Sequence, residues 1–521
     1  MKSLVYTIKI AGPAGTGIKS SGQVLAKTLI SLGFHIFDYT EYPSLVRGGY
    51  NAYFISFSLN KVYSIHQKVD FDISITDYAK LAQEIGNPLT ANVIALGSIA
   101  FVFGIDIDAL KKVVTAQYGK YAEINLKAID LGVEFASKNL ADKKIKIEFP
   151  KEKVELANNY NDGNESFGWG FLKGGGNFYA AYPMTPATGT LHFLAPRQEE
   201  YNIIVVHPED EIAAINIVAG ASFAGARAAT GSSGGGFALM TECISFLGVA
   251  ELSAVIYLVS RPGPATGLPT WTAQGDILYA IHAGHGDFPK IVLAPATHQE
   301  SFEMGITALN LAAKYQIPVI VVSDKMLGES AADTKNFALE KAKIENFDIV
   351  TNPTAPFKRY SLETKTGVSP LTLPGTKNGE YISNSYEHDE FGFSTENPEL
   401  TKKMSEKRNK KLESMLPDLP QSTIYNPQSK KLIIAFGSVA ATILEANLSD
   451  YALLQVKTLW PIDKELKKII DKYQDITVIE NNQTSQLTTL LKSQFDFNPT
   501  KIITKFDGRP FFPEELNEKL K

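Results

Sequence analysis

An apolar, strand-like run that ends in a glycine-rich turn and passes straight into a helical pattern constrains this chain more than any other feature. Residues 4–10 form such a run, and the turn is Gly12-Pro13-Ala14-Gly15-Thr16-Gly17. Ile18, Gly22, Leu25, Leu29 and Leu32 then recur at helical spacing up to Gly33. The same succession returns at residues 432–436, followed by Gly437-Ser438 and a helical stretch. Between these, strand-like runs at 203–206, 255–259 and 319–322 alternate with helical patterns. A parallel strand pair needs a crossover long enough to hold a helix, so this alternation predicts the α/β class. At 521 residues, and roughly 150 residues per domain, the chain holds three or four domains.

The spacing divides the chain into an α/β domain over 1–150, a second over 166–354 and a third over 429–521. Residues 355–428, rich in Pro, Gly, Asn, Lys and Glu, read as a linker or excursion. In the first domain, further strands are expected at 53–57, 73–76 and 93–96, and helices at 108–117 and 124–137. In the second, Ile212, Ile215, Ala219, Ser222 and Ala226 form a stripe that predicts a helix packed closely on a neighbour.

Composition removes several function classes. The 51 basic and 56 acidic side chains are mixed without a basic run, which argues against a nucleic-acid partner. Apolar stretches break well short of the roughly 18 residues of a membrane span, and the first ten residues lack a signal-peptide core. The single cysteine, Cys243, excludes a disulfide framework and fits a reducing, cytoplasmic setting. An iron–sulfur cluster takes about four cysteine ligands, so any cluster that serves this chain sits on another polypeptide. Cys243 itself reads as a small buried residue, not a nucleophile.

Four motifs in the second domain carry chemistry. In Tyr182-Pro183-Met184-Thr185-Pro186 two prolines stiffen the backbone around the Thr185 hydroxyl, which could bind a carboxylate or a reacting carbonyl, or simply cap a helix. Pro208-Glu209-Asp210-Glu211 places acids where a helix begins, as dipole compensation alone also does. Gly231-Ser232-Ser233-Gly234-Gly235-Gly236 implies close approach to a ligand or another chain. Arg261 follows an apolar strand, where a guanidinium can fork onto a carboxylate, and it opens a nearly uncharged, proline-stiffened loop that continues to Gln274-Gly275-Asp276. In the first domain the turn at Gly12, Gly15 and Gly17, with Arg47 in a later loop, has the placement of an anion site but not the dinucleotide spacing. His282 and His285 lack a third ligand, so no metal site is read.

With these residues in view, the sequence resembles the α subunit of the 2-oxoacid:ferredoxin oxidoreductases with the family's γ domain fused at its N-terminus. The resemblance is carried by YPMTP, PEDE, SSGGGFALMTE, RPGPATGLPT and QGDILYAIHAGHGDFPKIVLAP, with support from EHDEFG, KTLWPID and VIENNQTSQL. AGPAGTGIKSSGQVLA and EYPSLVRGGYNA carry the γ-like part. The resemblance implies a γ-type domain, a thiamine-diphosphate pyrimidine-type domain and a domain similar to the transketolase C-terminal domain. It implies thiamine diphosphate shared with a β subunit, coenzyme A as co-substrate, and ferredoxin as acceptor. Magnesium and an iron–sulfur cluster are then expected on the β subunit, in a heterodimer or its double. The superfamily's metal signature begins Gly-Asp-Gly, which this chain lacks, and Asn481-Asn482 have no such upstream partner.

By the same resemblance Glu211 contacts the aminopyrimidine ring, in preference to Glu209, and Tyr182, Pro183 and Gly235 line the cofactor. Thr185 and Arg261 bind the 2-oxoacid, and Gly12, Gly15, Gly17 and Arg47 form a coenzyme A loop. Met184 and the segment Ala187-Thr188-Gly189-Thr190 depart from the family pattern, which leaves the pocket for the substrate side chain open. Two other readings stay open: the pyrimidine-side subunit of a non-oxidative thiamine enzyme, and a nucleotide-binding scaffold subunit.

Overall fold

The computed structural model describes residues 4–44, 49–151, 160–354 and 356–521. Three sheets with covering helices make it an α/β protein. The chain forms two compact units, one from Met1–Asn161, Ser330–Asn336 and Phe512–Lys521, the other from Asp162–Glu329 and Phe337–Phe511.

The first unit is built on a six-stranded sheet in the order Phe71–Ser74, Tyr6–Pro13, Tyr50–Ser58, His35–Glu41, Ala331–Asp333 and Tyr160–Asp162. The expected helix after the glycine turn runs over Ile18–Ser31. The strand expected at 93–96 is instead part of the N-terminal half of a helix, Ala91–Phe103, nearly all of it buried. A continuous apolar run has no period that separates a buried strand from a buried helix. Here close helix packing decides. Cβ atoms at Gly97 and Gly132 would run into the carbonyls of Ile129 and Ile94, so the helix can lie directly on its neighbour Ala122–Asn139. Asp38, fully buried in this unit, accepts hydrogen bonds from Tyr53 Oη at 2.7 Å, from Ala331 N at 2.9 Å and from Tyr160 Oη.

The second unit opens with the helix Gly163–Lys173, started by a capping box between Asp162 and Glu165. Its seven-stranded sheet has the order Thr458–Trp460, Ile291–Leu293, Pro318–Asp324, Ala254–Ser260, Ala228–Ser232, Phe178–Ala180 and Ile204–Val206. All neighbours are parallel except the edge strand Thr458–Trp460, lent by the C-terminal segment. A five-stranded sheet follows, in the order Thr423–Tyr425, Tyr451–Gln455, Lys431–Ala435, Asp475–Glu480 and Lys501–Thr504. One apolar core is continuous between the two sheets, from Ile256 and Leu258 to Ile434 and Val478. The predicted stripe on the helix Glu211–Phe223 is shifted: Ile215, Ala219 and Ser222 are buried, Ile212 is half exposed, and Ala226 lies past the helix end.

The irregular stretch before residue 426 is not loose chain. It carries the helix Pro398–Ser414 and closes on the C-terminal end of the helix Gly234–Val249. Lys407 and Lys411 reach the buried Glu251 carboxylate at 2.5 and 2.6 Å, and Arg359 Nη2 donates to Glu251 O at 2.9 Å. Burial alone would raise this carboxyl; the three cations hold it well below the usual range. His388 and Tyr360 face the adjoining carbonyls of Val249 and Ala250.

Candidate active site

The strand order of the second unit fixes where a site can form. The chain passes from Phe178–Ala180 to Ile204–Val206 on one side, then returns to place Ala228–Ser232 on the other side of Phe178–Ala180. In an open α/β sheet, ligands bind beyond the carboxyl ends of the strands at such a reversal. All four sequence motifs follow the carboxyl ends of these strands. Tyr182–Pro186 comes after Phe178–Ala180, Glu209–Glu211 after Ile204–Val206, Ser233–Gly236 after Ala228–Ser232, and Arg261 after Ala254–Ser260.

Glu211 and Glu209 separate clearly. Glu209 is exposed, Asp210 is the helix cap and accepts from Ala213 N at 2.7 Å, and Glu211 is 3% exposed. Helix capping thus accounts for Asp210, and Glu211, in the first turn, differs from an ordinary dipole-compensating acid by its burial. Among the described residues, the one hydrogen-bond donor to the Glu211 carboxylate is Ser232 Oγ, at 3.3 Å. Gly236 lies against this carboxylate, and a Cβ there would overlap both Glu211 Oε1 and Ser232 Oγ. A buried carboxylate with a single internal donor has acceptor capacity that its own fold leaves unfilled.

Thr185 does not cap the next helix, Thr188–Leu194, whose N-cap is Ala187. Its carbonyl accepts from Arg261 Nη1 at 2.6 Å, so the structure brings these two sequence-selected residues together. Burial pulls the Arg261 guanidinium below its ordinary value, and Asp276 opposes that pull. Burial raises the Asp276 carboxyl, against the opposing effects of Ser260 and Arg261. Asp276 Oδ2 is buried without a hydrogen-bond partner, and both its oxygens would lie 3.0 Å from a Cβ at Gly234. Residues 274–276 drew notice in the sequence, but nothing there marked this carboxylate as a wall of the glycine run.

Tyr182 is 38% exposed, Pro183 is partly exposed, and Gly235 is exposed with open space where a Cβ would stand. Cys243 is buried, and burial pushes its thiol up to about 12, which removes it as a nucleophile. Asn481 and Asn482 are engaged structurally. Asn481 N donates to Gln274 Oε1 at 3.3 Å, and Asn482 Nδ2 donates to Gln274 O at 3.2 Å and to Glu480 Oε2 at 2.9 Å. In the first unit Gly15 and Gly17 have φ of 85° and 80°, and Gly17 caps the helix Ile18–Ser31. Arg47 lies outside the described residues.

A residue that sequence reading passed over is Asn164, 1% exposed, whose Nδ2 donates to Pro186 O at 2.9 Å. The signal was available: Asp162-Gly163-Asn164-Glu165 is a capping-box pattern that starts a helix just before residue 166, where the second domain was expected to begin.

Comparison with known proteins covers this site. The family model described as pyruvate flavodoxin/ferredoxin oxidoreductase, thiamine diphosphate-binding, matches residues 170–407. The model described as pyruvate ferredoxin/flavodoxin oxidoreductase matches residues 7–75 and 70–135. The chain is 31% identical to a 2-oxoacid:ferredoxin oxidoreductase alpha subunit from a Sulfolobus species, over 98% of this chain and 96% of the relative. It is 35% identical to the alpha subunit from Saccharolobus solfataricus, over 86% of this chain and 73% of the relative. Among solved structures, the 2-oxoglutarate:ferredoxin oxidoreductase from Magnetococcus marinus, with 2-oxoglutarate, coenzyme A and succinyl-CoA bound, matches with a TM-score of 0.91. The identity is 29%, over 100% of this chain and 99% of that one. Glu211, Thr185 and Arg261 all lie within the segment matched as thiamine diphosphate-binding. The chain therefore belongs to the 2-oxoacid:ferredoxin oxidoreductases, as an alpha subunit.

Proposed function

We propose that this alpha subunit, with a β subunit, converts a 2-oxoacid and coenzyme A to an acyl-CoA and carbon dioxide while reducing ferredoxin. The bond between the carboxylate and the oxo carbon breaks, a thioester forms at that carbon, and two electrons pass to the acceptor. The observation that carries this reading is the placement of Glu211, Thr185 and Arg261 beyond the carboxyl ends of parallel strands in one sheet, with Arg261 bonded to the Thr185 carbonyl.

Thiamine diphosphate, when bound, supplies the nucleophilic carbon and the electron sink for decarboxylation. The buried Glu211 carboxylate, with its single internal donor, fits a polar ring nitrogen, and its role is to hold a proton there. Tyr182, Pro183 and Gly235 offer surface beyond the carboxyl ends of neighbouring strands, and Gly235 leaves room that no side chain among the described residues fills. Arg261 keeps donors beyond the one given to Thr185 and orients the oxoacid carboxylate. The Thr185 hydroxyl meets the substrate's polar oxygens. Magnesium, the diphosphate grip and the iron–sulfur cluster fall to the β subunit, since one cysteine and no Gly-Asp-Gly leave this chain unable to supply them. The ligands of the Magnetococcus relative make 2-oxoglutarate the first oxoacid to try. The γ-like unit, with its glycine turn at 12–17, is assigned to coenzyme A.

The test is purification with native partners, followed by assay of iron, thiamine diphosphate and oxoacid-dependent viologen reduction with coenzyme A. Iron, thiamine and dye reduction together support the proposal. A complex with thiamine and no iron supports the non-oxidative reading and overturns this one.

A further inference from the structure

The Thr185 loop cannot hold itself in place. Pro183 and Pro186 have no backbone N–H, so two of the donors that would tie the loop to its neighbours are missing. Within the loop the remaining tie is Ala187 N to Met184 O at 2.9 Å. Its two successive carbonyls are instead taken by side chains from different elements. Arg261 Nη1 donates to Thr185 O at 2.6 Å, and Asn164 Nδ2 donates to Pro186 O at 2.9 Å.

Asn164 is itself fixed from several directions. It sits in the first turn of the helix Gly163–Lys173, whose start is locked by the Asp162–Glu165 capping box. Its carbonyl accepts from Thr190 Oγ1 at 3.1 Å, so it grips the loop and the helix after it at two points. Its Oδ1 is buried without a hydrogen-bond partner, which means the amide is retained there for its donor. Gly189 is the matching surface: a Cβ at that position would stand 2.7 Å from Asn164 Nδ2 and 2.9 Å from Asn164 Cβ. Glycine at 189 is what admits Asn164 at this distance.

We propose that Asn164 is a positioning residue for oxoacid binding: through Pro186 it sets the Thr185 carbonyl, and through that carbonyl the direction of the Arg261 guanidinium. The inference rests on the functional reading above, in which Arg261 binds the oxoacid carboxylate. Its consequence is selective. Displacing the loop misaims Arg261 directly through the Thr185 carbonyl, whereas its link to Glu211 is indirect, through Ser232 Oγ, which lies 3.7 Å from Met184 Sδ and 3.3 Å from Glu211 Oε1.

The experiment uses the purified complex with its partner subunits. It measures KM and kcat for 2-oxoglutarate, KM for coenzyme A, and calorimetric binding of the unreactive analogue N-oxalylglycine. Asn164→Ala is expected to raise the oxoacid KM and the N-oxalylglycine Kd together by about tenfold or more, with kcat and the coenzyme A KM little changed. Gly189→Ala pushes against the same amide and should do likewise. The double variant should cost less than the sum of the two single ones, because both act on one amide, although the Cβ kept at position 164 would still stand 2.9 Å from one at 189. If Asn164→Ala does not assemble, Gly189→Ala decides alone. An unchanged oxoacid KM, a parallel rise for coenzyme A, or additive effects of the pair would overturn the proposal. A wild-type complex inactive with every oxoacid would overturn the functional reading and this inference with it. An active wild type with indifferent variants overturns the inference alone.

Discussion

The two glycine-rich stretches of this chain, residues 12–17 in the first unit and 231–236 in the second, look alike as sequence and hold glycine for different reasons. Gly15 and Gly17 adopt φ near +80°, which an L side chain rarely takes; among the described residues a Cβ at Gly15 would meet nothing, while one at Gly17 would also stand 2.4 Å from Asn92 Nδ2. The backbone of that turn demands glycine. In the second stretch the backbone is ordinary and the neighbours are not. Side chains at Gly231, Gly234 and Gly236 would meet Tyr179, the Asp276 carboxylate and the Glu211 carboxylate. The buried acids of the two units divide the same way. Asp38 has internal donors on both oxygens, whereas Glu211 has a single one. A carboxylate whose acceptor sites are filled by its own fold is structural, and one left short is available for chemistry.

The largest effect is expected at Glu211. Glu211→Gln removes the carboxylate while keeping its shape, and turnover should fall about 10²–10⁴-fold, the usual worth of a general acid–base group. The assembled complex should show little change in Tm. Gly236→Ala should approach the same loss with the acid still present, because its Cβ overlaps Glu211 Oε1. Full turnover in Gly236→Ala would place the working part of the site away from that carboxylate and erase the contrast between the glycine stretches.

Arg261→Ala comes next. Losing a charged hydrogen-bond partner costs about 2–3 kcal/mol, roughly 30- to 150-fold in kcat/KM. The loss should fall on the oxoacid KM measured by dye reduction. Unchanged oxoacid kinetics would leave Arg261 with only its structural bond to Thr185 O.

These residues were legible because each follows a strand in an α/β pattern, and strand ends are where such folds bind ligands. Asp210 and Glu211 show what local sequence leaves undecided. Both are acids at a helix start, and only burial and capping geometry assign one to the helix and the other to the site. Residues 93–96 show a second limit. Their strand-like composition yielded to helix packing that depends on Gly97 and Gly132 meeting across two helices distant in sequence. Asn164 shows a third, since its role exists only through Pro186 and Gly189, which lie more than twenty residues along the chain.

In the first unit the comparison can be broken through stability rather than rate. Burial raises the Asp38 carboxyl to about 6, against the opposing pull of the Tyr160 and Tyr53 hydroxyls. The folded state therefore holds this proton more firmly than the unfolded chain. Between about pH 4 and 6 the unfolded state binds fewer protons, and the group's contribution to stability falls as pH rises. Asp38→Asn cannot titrate. The Tm difference between variant and wild type should shift in the variant's favour from pH 4 to pH 7, with turnover at fixed pH nearly unchanged. A constant difference would show that Asp38 titrates alike in both states.

The smallest effect within this chain is expected at Gly235, and it tests whether the second stretch serves a ligand. Gly235 has no positive φ, is exposed, and would offer an added Cβ only open space. It lies in the first turn of the helix Gly234–Val249, where alanine is favoured over glycine by up to about 1 kcal/mol. Gly235→Ala should therefore leave the free subunit as stable as before, or slightly more so. If the cofactor or the β subunit occupies that space, the same methyl group should raise the thiamine diphosphate concentration needed for half-maximal activity while Tm holds. If half-saturation is also unchanged, nothing approaches Gly235 closely. The glycines needed by the site are then only those whose side chains would strike Tyr179, Asp276 or Glu211.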